Sequence, residues 1–257
     1  MAREATEAER KVDAAHRAIS AEPRIDLARH PIKLAFDGDA MTLEGEVANI
    51  AAKKLALERV AAVPGVNHII DRLRVQPAAR MTDGEIRDLV RDALLQEPAF
   101  AETGLRIWIK GLLEIAREPD RARGMIDVRV EDGIVTLDGE VSGLARKRLA
   151  GVLAWWVPGS RDVVNGLGVT PPEGDSDDEI ADAVRLVLEK DPFVDASQIR
   201  AGVRRSIVTL TGLVPSDPER EMAEFDAWYV FGVDGVENQI EVRRGIATAL
   251  RQPRRDR

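Results

Sequence analysis

Apolar and polar residues alternate along one short segment that occurs three times in the chain. In its first occurrence Leu43 and Val47 alternate with Thr42, Glu44 and Glu46. In its second, Leu137 and Val141 alternate with Thr136, Asp138 and Glu140. Strict alternation predicts a β-strand with one buried and one solvated face, so each segment is expected to lie in a half-exposed sheet.

Helical periodicity precedes these strands. Two amphipathic segments, containing Glu85 and Glu179, each follow a Thr or Ser that stands three residues upstream, at Thr82 and Ser176. This is the spacing of a capping box, in which the two side chains satisfy backbone N–H groups at the start of a helix. Acidic-Pro pairs follow each segment, and proline disfavours helix at the residue before it. The first copy follows the same pattern more loosely, from Val12 to a Glu-Pro pair at residues 22–23.

The spacing of equivalent residues predicts a triplicated unit. Thr42, Thr136 and Thr209 each begin the phrase Thr-Leu-x-Gly, and each is followed 23 residues later by a glycine. Further matches occur at fixed offsets without a gap: Asp71, Asn165 and Asn238, then Leu73, Leu167 and Ile240, then Val75, Val169 and Val242. Repeats of this kind indicate one structural unit used three times.

Each copy is therefore expected to run helix–strand–strand–helix–strand. The predicted fold class is α+β, with two helices on one face of a three-stranded mixed sheet in every module, because a strand–helix–strand crossover makes the last strand parallel to its neighbour. We expect modules at residues 1–77, 78–172 and 173–244, and a basic tail at residues 245–257.

These motifs resemble the BON (bacterial OsmY and nodulation) family. The resemblance covers about residues 12–77, 82–170 and 176–243, and its clearest segments are DGIVTLDGEV from Asp132 and GVENQIEV from Gly235. It carries no catalytic residue. It implies attachment to phospholipid surfaces or envelope partners, often under osmotic or other stress.

Composition narrows the choice of function. The chain of 257 residues has no Cys, which excludes disulfides and thiolate chemistry. Its net charge is −8, and residues 1–242 carry −13 because the segment from Arg243 onward holds six Arg and one Asp. An acidic body argues against general nucleic-acid binding. The N-terminus has no apolar run of the kind found in secretory signals, so we expect a cytosolic protein, peripheral to the inner membrane where it meets lipid.

No motif predicts catalysis, a metal or a cofactor. The three histidines, His16, His30 and His68, do not have the spacing of a helical metal site. The acidic cluster near Asp175 lacks the ligand spacing of a calcium loop, and acidic residues are expected at the start of a helix. A P-loop, a Gly-x-Ser-x-Gly elbow and a dinucleotide fingerprint are all absent.

The second copy carries an insertion at residues 104–123, which is predicted to be an amphipathic helix. Leu105, Trp108, Ile109 and Leu112 fall on its apolar arc and Lys110 on the polar side, with only Ile107 breaking the pattern. Three roles stay open for this segment: packing on its own or a neighbouring module, lying in a membrane interface, or binding a partner protein.

Two tryptophans complete the candidate contact residues. Trp155 and Trp228 lie late in the second helix of their copies, one position past its apolar arc, and are predicted to point away from their own sheet. An outward tryptophan contacts lipid or protein, or docks modules two and three together.

The leading functional hypothesis is a non-enzymatic protein that binds phospholipid surfaces or envelope-linked partners. The alternative is a soluble interaction scaffold or ligand sensor without membrane contact.

Overall fold

Within the described part of the chain the strands form three separate mixed sheets, one in each copy of the repeat. The computed structural model describes residues 6–243, so the predicted tail at residues 245–257 lies outside the described part of the chain. Thr42, Thr136 and Thr209 each occupy the third position of an eight-residue strand in their own sheet. The prediction of three α+β modules is confirmed.

Helices and strands follow the predicted order in the first and third modules, and the second module adds strands to it. The first module comprises α1 (Glu7–Ser20), β1 (Lys33–Asp37), β2 (Ala40–Val47), α2 (Ile50–Ala61) and β3 (His68–Val75). The second comprises α3 (Asp83–Gln96), β4 (Gly104–Ile109), β5 (Leu112–Arg117), β6 (Gly124–Glu131), β7 (Ile134–Val141), α4 (Leu144–Trp155), β8 (Asp162–Asn165) and β9 (Gly168–Val169). The third comprises α5 (Asp177–Lys190), β10 (Ile199–Arg204), β11 (Ile207–Val214), α6 (Asp217–Tyr229) and β12 (Gly235–Val242).

Strand pairing is the same in the first and third modules. The sheet orders are β1-β2-β3 and β10-β11-β12, with the first strand antiparallel and the last strand parallel to the middle one. In the second module β6, β7 and β8 form the equivalent sheet, and β9 continues the pairing along β7. The crossover helix between the second and last strands gives each module its parallel pair, as expected.

The glycine of each Thr-Leu-x-Gly phrase stands where two backbones approach closely. Gly45, Gly139 and Gly212 have φ angles of 153°, 108° and 144°, which L side chains rarely adopt. A Cβ at any of the three would collide with a backbone carbonyl oxygen of the segment paired with it, at Pro31, Met125 or Gln198. Only glycine fits, which explains why the phrase recurs in all three copies.

The repeated Asp or Asn of the last strand fastens that strand to the second helix. Asn165 and Asn238 donate from Nδ2 to the carbonyls of Lys147 and Arg220, at 2.7 Å and 3.0 Å. In the first module the residue 18 positions before Asp71 is Lys53, whose Nζ lies 2.9 Å from the Asp71 carboxylate. The same position of the repeat therefore holds the last strand to the second helix in every module, through an amide hydrogen bond in two modules and an ion pair in one.

The first helix of the second module and the first helix of the third module begin at the capping residues that the sequence predicts. Thr82 forms the complete capping box with Glu85, whereas Ser176 accepts from the Glu179 N–H without the reciprocal bond. The first helical residue, Asp177, also accepts hydrogen bonds from the backbone N–H groups of Arg205 and Ser206, which form the hairpin turn. These bonds hold the N-terminus of α5 beside the β10–β11 turn.

The predicted helix at residues 104–123 is wrong. The segment forms the hairpin β4–β5, whose two-residue turn is made by Lys110 and Gly111 with φ angles of 51° and 81°. Such a turn has the backbone twist that joins two antiparallel strands. The hairpin joins the sheet through β4, which runs parallel to β6, so this sheet has six strands rather than the predicted three.

The three modules share much of their apolar packing. One core contains residues of the first and third modules together with Val152 of α4, while a second core belongs mainly to the second module. Helix α2 packs on α6, and α4 packs on both α5 and α6. Within residues 6–243, every helix is too short or too polar to span a lipid bilayer.

Candidate functional site

The β4–β5 hairpin presents apolar side chains to solvent. Leu112 is 70% exposed, Ile115 is 62% exposed and Leu113 is also exposed. Strand β5 is the outermost strand of the sheet, and its only strand partner in the described structure is β4. Side chains of this kind, clustered on an edge strand, are typical of an interaction surface.

The two faces of the hairpin are set by its register. Leu105 and Ile107 of β4 point into the core and are 1% and 2% exposed. Trp108 alternates with them and therefore lies on the opposite face of the sheet. It is half-buried there and pairs directly with Leu113. The guanidinium of Arg129 lies 4.8 Å from the Trp108 ring centroid, which fixes the indole by a cation–π contact.

Ile109 is half-buried opposite Leu112, and Lys110 is exposed at the tip of the hairpin. Residues 104–123 hold five basic and three acidic residues, a local charge of +2 in a chain that carries −8. The exposed apolar side chains therefore lie in a locally basic region of an acidic protein.

Trp155 is half-buried and contacts the third module. Its ring stacks on that of Tyr229, with centroids 5.6 Å apart and planes at 17°. The neighbouring Trp156 donates from Nε1 to Asp226 Oδ1 at 2.9 Å. Two consecutive aromatic residues of the second module therefore dock onto α6 of the third.

The hypothesis that Trp228 contacts lipid or a partner protein is wrong, because the side chain is buried between the third and first modules. It is 1% exposed and belongs to the core shared by the first and third modules. Arg24 and Lys54 of the first module each lie 6.0 Å from its ring centroid. The helical position does face away from its own sheet, but α2 covers that side of α6.

A cavity of about 690 Å³ lies where the three modules meet, and we name it the junction cavity. Its walls include Asn49 and Val75 of the first module and Trp155 and Trp156 of the second. The third module contributes the segment around Phe193 and the aromatic side of α6. Residues 191–192 are the acidic-Pro pair that the sequence predicts to end a helix. In the sequence, the large apolar residue directly after Pro192 is the signal that could have identified this segment as part of a site.

Two buried acidic side chains of the third module, Asp191 and Asp226, lie beside each other at the junction cavity. Asp226 is 0% exposed and Asp191 is 6% exposed. Burial, reinforced by the adjacent Asp191 carboxylate, raises the pKa of Asp226 to about 8. Burial also raises the pKa of Tyr229, to about 12. Asp226 is therefore largely protonated at neutral pH and can donate a hydrogen bond to Asp191.

The histidines are not brought together. His16 and His68 are exposed and His30 is half-buried, each in a different element or loop of the first module. His68 Nε2 lies 3.5 Å from Asp39 in an exposed pair. Across residues 6–243 the search for three or more His, Cys, Asp or Glu side chains placed to hold a metal found none.

Comparison with known families places the chain. The model of the BON domain matches residues 26–77, 114–171 and 176–244, which together span more than half of the chain. The chain belongs to the BON family. The second match begins inside β5, so β4 and the hairpin turn lie outside the part of this BON protein that the family model covers.

Individual relatives add little. No curated protein matches the chain. Two solved structures of CdsD, a structural protein of the type III secretion system of Chlamydia trachomatis, align at 14% identity and a TM-score of 0.24. One of them, described as the C-terminal domain, covers 90% of this chain and 96% of its own length; the other covers 94% and 98%. Similarity at this level does not bear on function.

Proposed function

We propose that this BON-repeat protein is a non-enzymatic binding protein that attaches to anionic phospholipid surfaces through its β4–β5 hairpin. The observation that carries the proposal is the exposure of Leu112, Leu113 and Ile115 on an edge strand in a locally basic region. Apolar side chains gain by entering the headgroup–acyl boundary, and basic groups gain by approaching anionic lipid.

The geometry favours shallow contact with the membrane. The outer backbone groups of β5 have no strand partner among the described residues, and unsatisfied N–H and C=O groups cannot enter hydrocarbon. Headgroups and interfacial water can satisfy them. The hairpin is therefore expected to enter the interface edge-on, with Leu112 and Ile115 inserted from opposite faces of β5 and Lys110 at headgroup level.

The proposal is tested by co-sedimentation of the full chain with vesicles of phosphatidylcholine alone or with phosphatidylserine. We expect binding to the mixed vesicles that weakens at high salt, since exposed charges are screened. Leu112→Glu should reduce this binding at least about tenfold, because inserting a charged group replaces a favourable apolar transfer. The melting temperature should change little, because the side chain is already exposed.

Ile70→Glu is the matched control. Ile70 is an apolar residue exposed on β3, outside the hairpin, at 44%. This variant should bind as the parent does. Absence of vesicle binding by the parent, or an equal loss in both variants, would overturn the proposal. A change in oligomeric state on Leu112→Glu, without vesicle binding, would instead assign the hairpin to protein contacts.

A further inference from the structure

The junction cavity is separate from the hairpin. We propose that it binds a small organic cation, with an apolar body held among the aromatic walls and an ammonium group directed toward Asp191. All of the residues that line it belong to the described part of the chain.

Its size and rigidity suit a small molecule. A volume of about 690 Å³ lies within the range of ligand pockets. The walls are fixed without a ligand, because Trp155 stacks on Tyr229 and Trp156 is hydrogen-bonded to Asp226. Binding therefore requires little ordering of side chains.

The charge of the walls selects the ligand. Asp191 is the only acidic residue in the lining, which contains no Lys, Arg or His. The carboxylate accepts from the Phe193 N–H at 2.8 Å and lies beside Asp226. A carboxylate has about four lone-pair sites, so it can still accept from an ammonium group. An anionic ligand would find no cationic side chain here.

The aromatic walls favour the same class of ligand. The π faces of Trp and Tyr attract cations, and the attraction grows when water is excluded. Phe193, 73% exposed, and Met222, 38% exposed, lie at the cavity and would be covered by the apolar body of the ligand. A neutral apolar molecule would use these surfaces but not Asp191.

The experiment titrates the full chain with three probes of equal chain length, each below its critical micelle concentration: octylammonium, octyl sulfate and 1-octanol. Tryptophan fluorescence and calorimetry report binding, since two tryptophans line the cavity. We expect the ammonium probe to bind about tenfold more tightly than octanol, and the sulfate to bind more weakly than both.

Two variants locate the binding. Asp191→Asn keeps an oxygen for the Phe193 N–H but removes the charge, so the preference for the ammonium probe over octanol should disappear. Ala78→Trp places an indole at the mouth of the cavity, from an exposed linker residue that lines it, and should block all three probes.

Matched controls are Asp182→Asn, on the exposed face of α5, and Ala79→Trp, an exposed neighbour of Ala78 that does not line the cavity. Both should bind as the parent does. Three results would each overturn the proposal: no binding of the ammonium probe, equal binding of the sulfate, or binding that survives Ala78→Trp. If Asp191→Asn fails to fold, the probe series and Ala78→Trp still decide.

Discussion

Asp226 is enclosed between the second and third modules, where a carboxylate has little to compensate its burial. Its Oδ1 accepts from Trp156, but its Oδ2 is buried without a hydrogen-bond donor. Asp191, the charged group that faces it, repels its ionised form. These contacts explain why burial raises the pKa of Asp226 to about 8.

This carboxyl makes stability depend on pH. An unfolded Asp loses its proton near pH 3.9, whereas folded Asp226 keeps it to about pH 8. Between these values the folded state binds more protons, so the free energy of unfolding falls as pH rises. Asp226→Asn preserves the bond from Trp156 and removes the titration. We expect it to match the parent at pH 4 and to exceed it by on the order of 2–4 kcal/mol at pH 8 in urea denaturation. A difference that does not change with pH would contradict this assignment.

At the scale of the element, the glycine of the Thr-Leu-x-Gly phrase is required because two backbones approach closely at its position. Gly212 on β11 has a φ of 144° and faces the carbonyl of Gln198. On the neighbouring strand β10, Gly202 has open space around its Cβ position.

Gly212→Ala is expected to lower the free energy of unfolding by at least about 2 kcal/mol, because the new Cβ imposes both backbone strain and a steric collision. Gly202→Ala, in the same sheet, should be neutral or slightly stabilising. Chemical denaturation compares the two. Equal effects would mean that the close approach of the backbone does not determine this position.

For the insertion at residues 104–123, the sequence pattern predicts a helix where the structure has two strands. The repeat units were predictable because Thr, Gly and an Asp or Asn recur at fixed offsets, and the Gly and the Asp or Asn have the same local role in every copy. At residues 104–123 the helical wheel was satisfied except for Ile107, and that residue is a core position of β4. Leu105, Ile107 and Ile109 alternate with Arg106 and Trp108, and Gly111 permits the turn, but a short apolar segment fits both periods.

At the scale of the whole molecule, the modules are packed together rather than strung along the chain. Lys53 of α2 lies 2.7 Å from Asp162 of β8, a buried ion pair between the first two modules. Arg148 of α4 is buried, donates to the Phe231 carbonyl and pairs with Asp175 across the second boundary. Neither the burial of Trp228 nor the junction cavity could be predicted from one repeat, because both arise only where modules meet.

Hydrogen–deuterium exchange of the full chain, with and without phosphatidylserine-containing vesicles, tests the central claim directly. In the free protein the outward N–H groups of the edge strand β5 have no strand partner and should exchange fast. On vesicles, peptides covering residues 105–117 are expected to become protected, while peptides from β1 and β10 keep their rates. Protein that binds vesicles with unchanged exchange across residues 105–117, or with protection confined to another module, would contradict attachment through the hairpin.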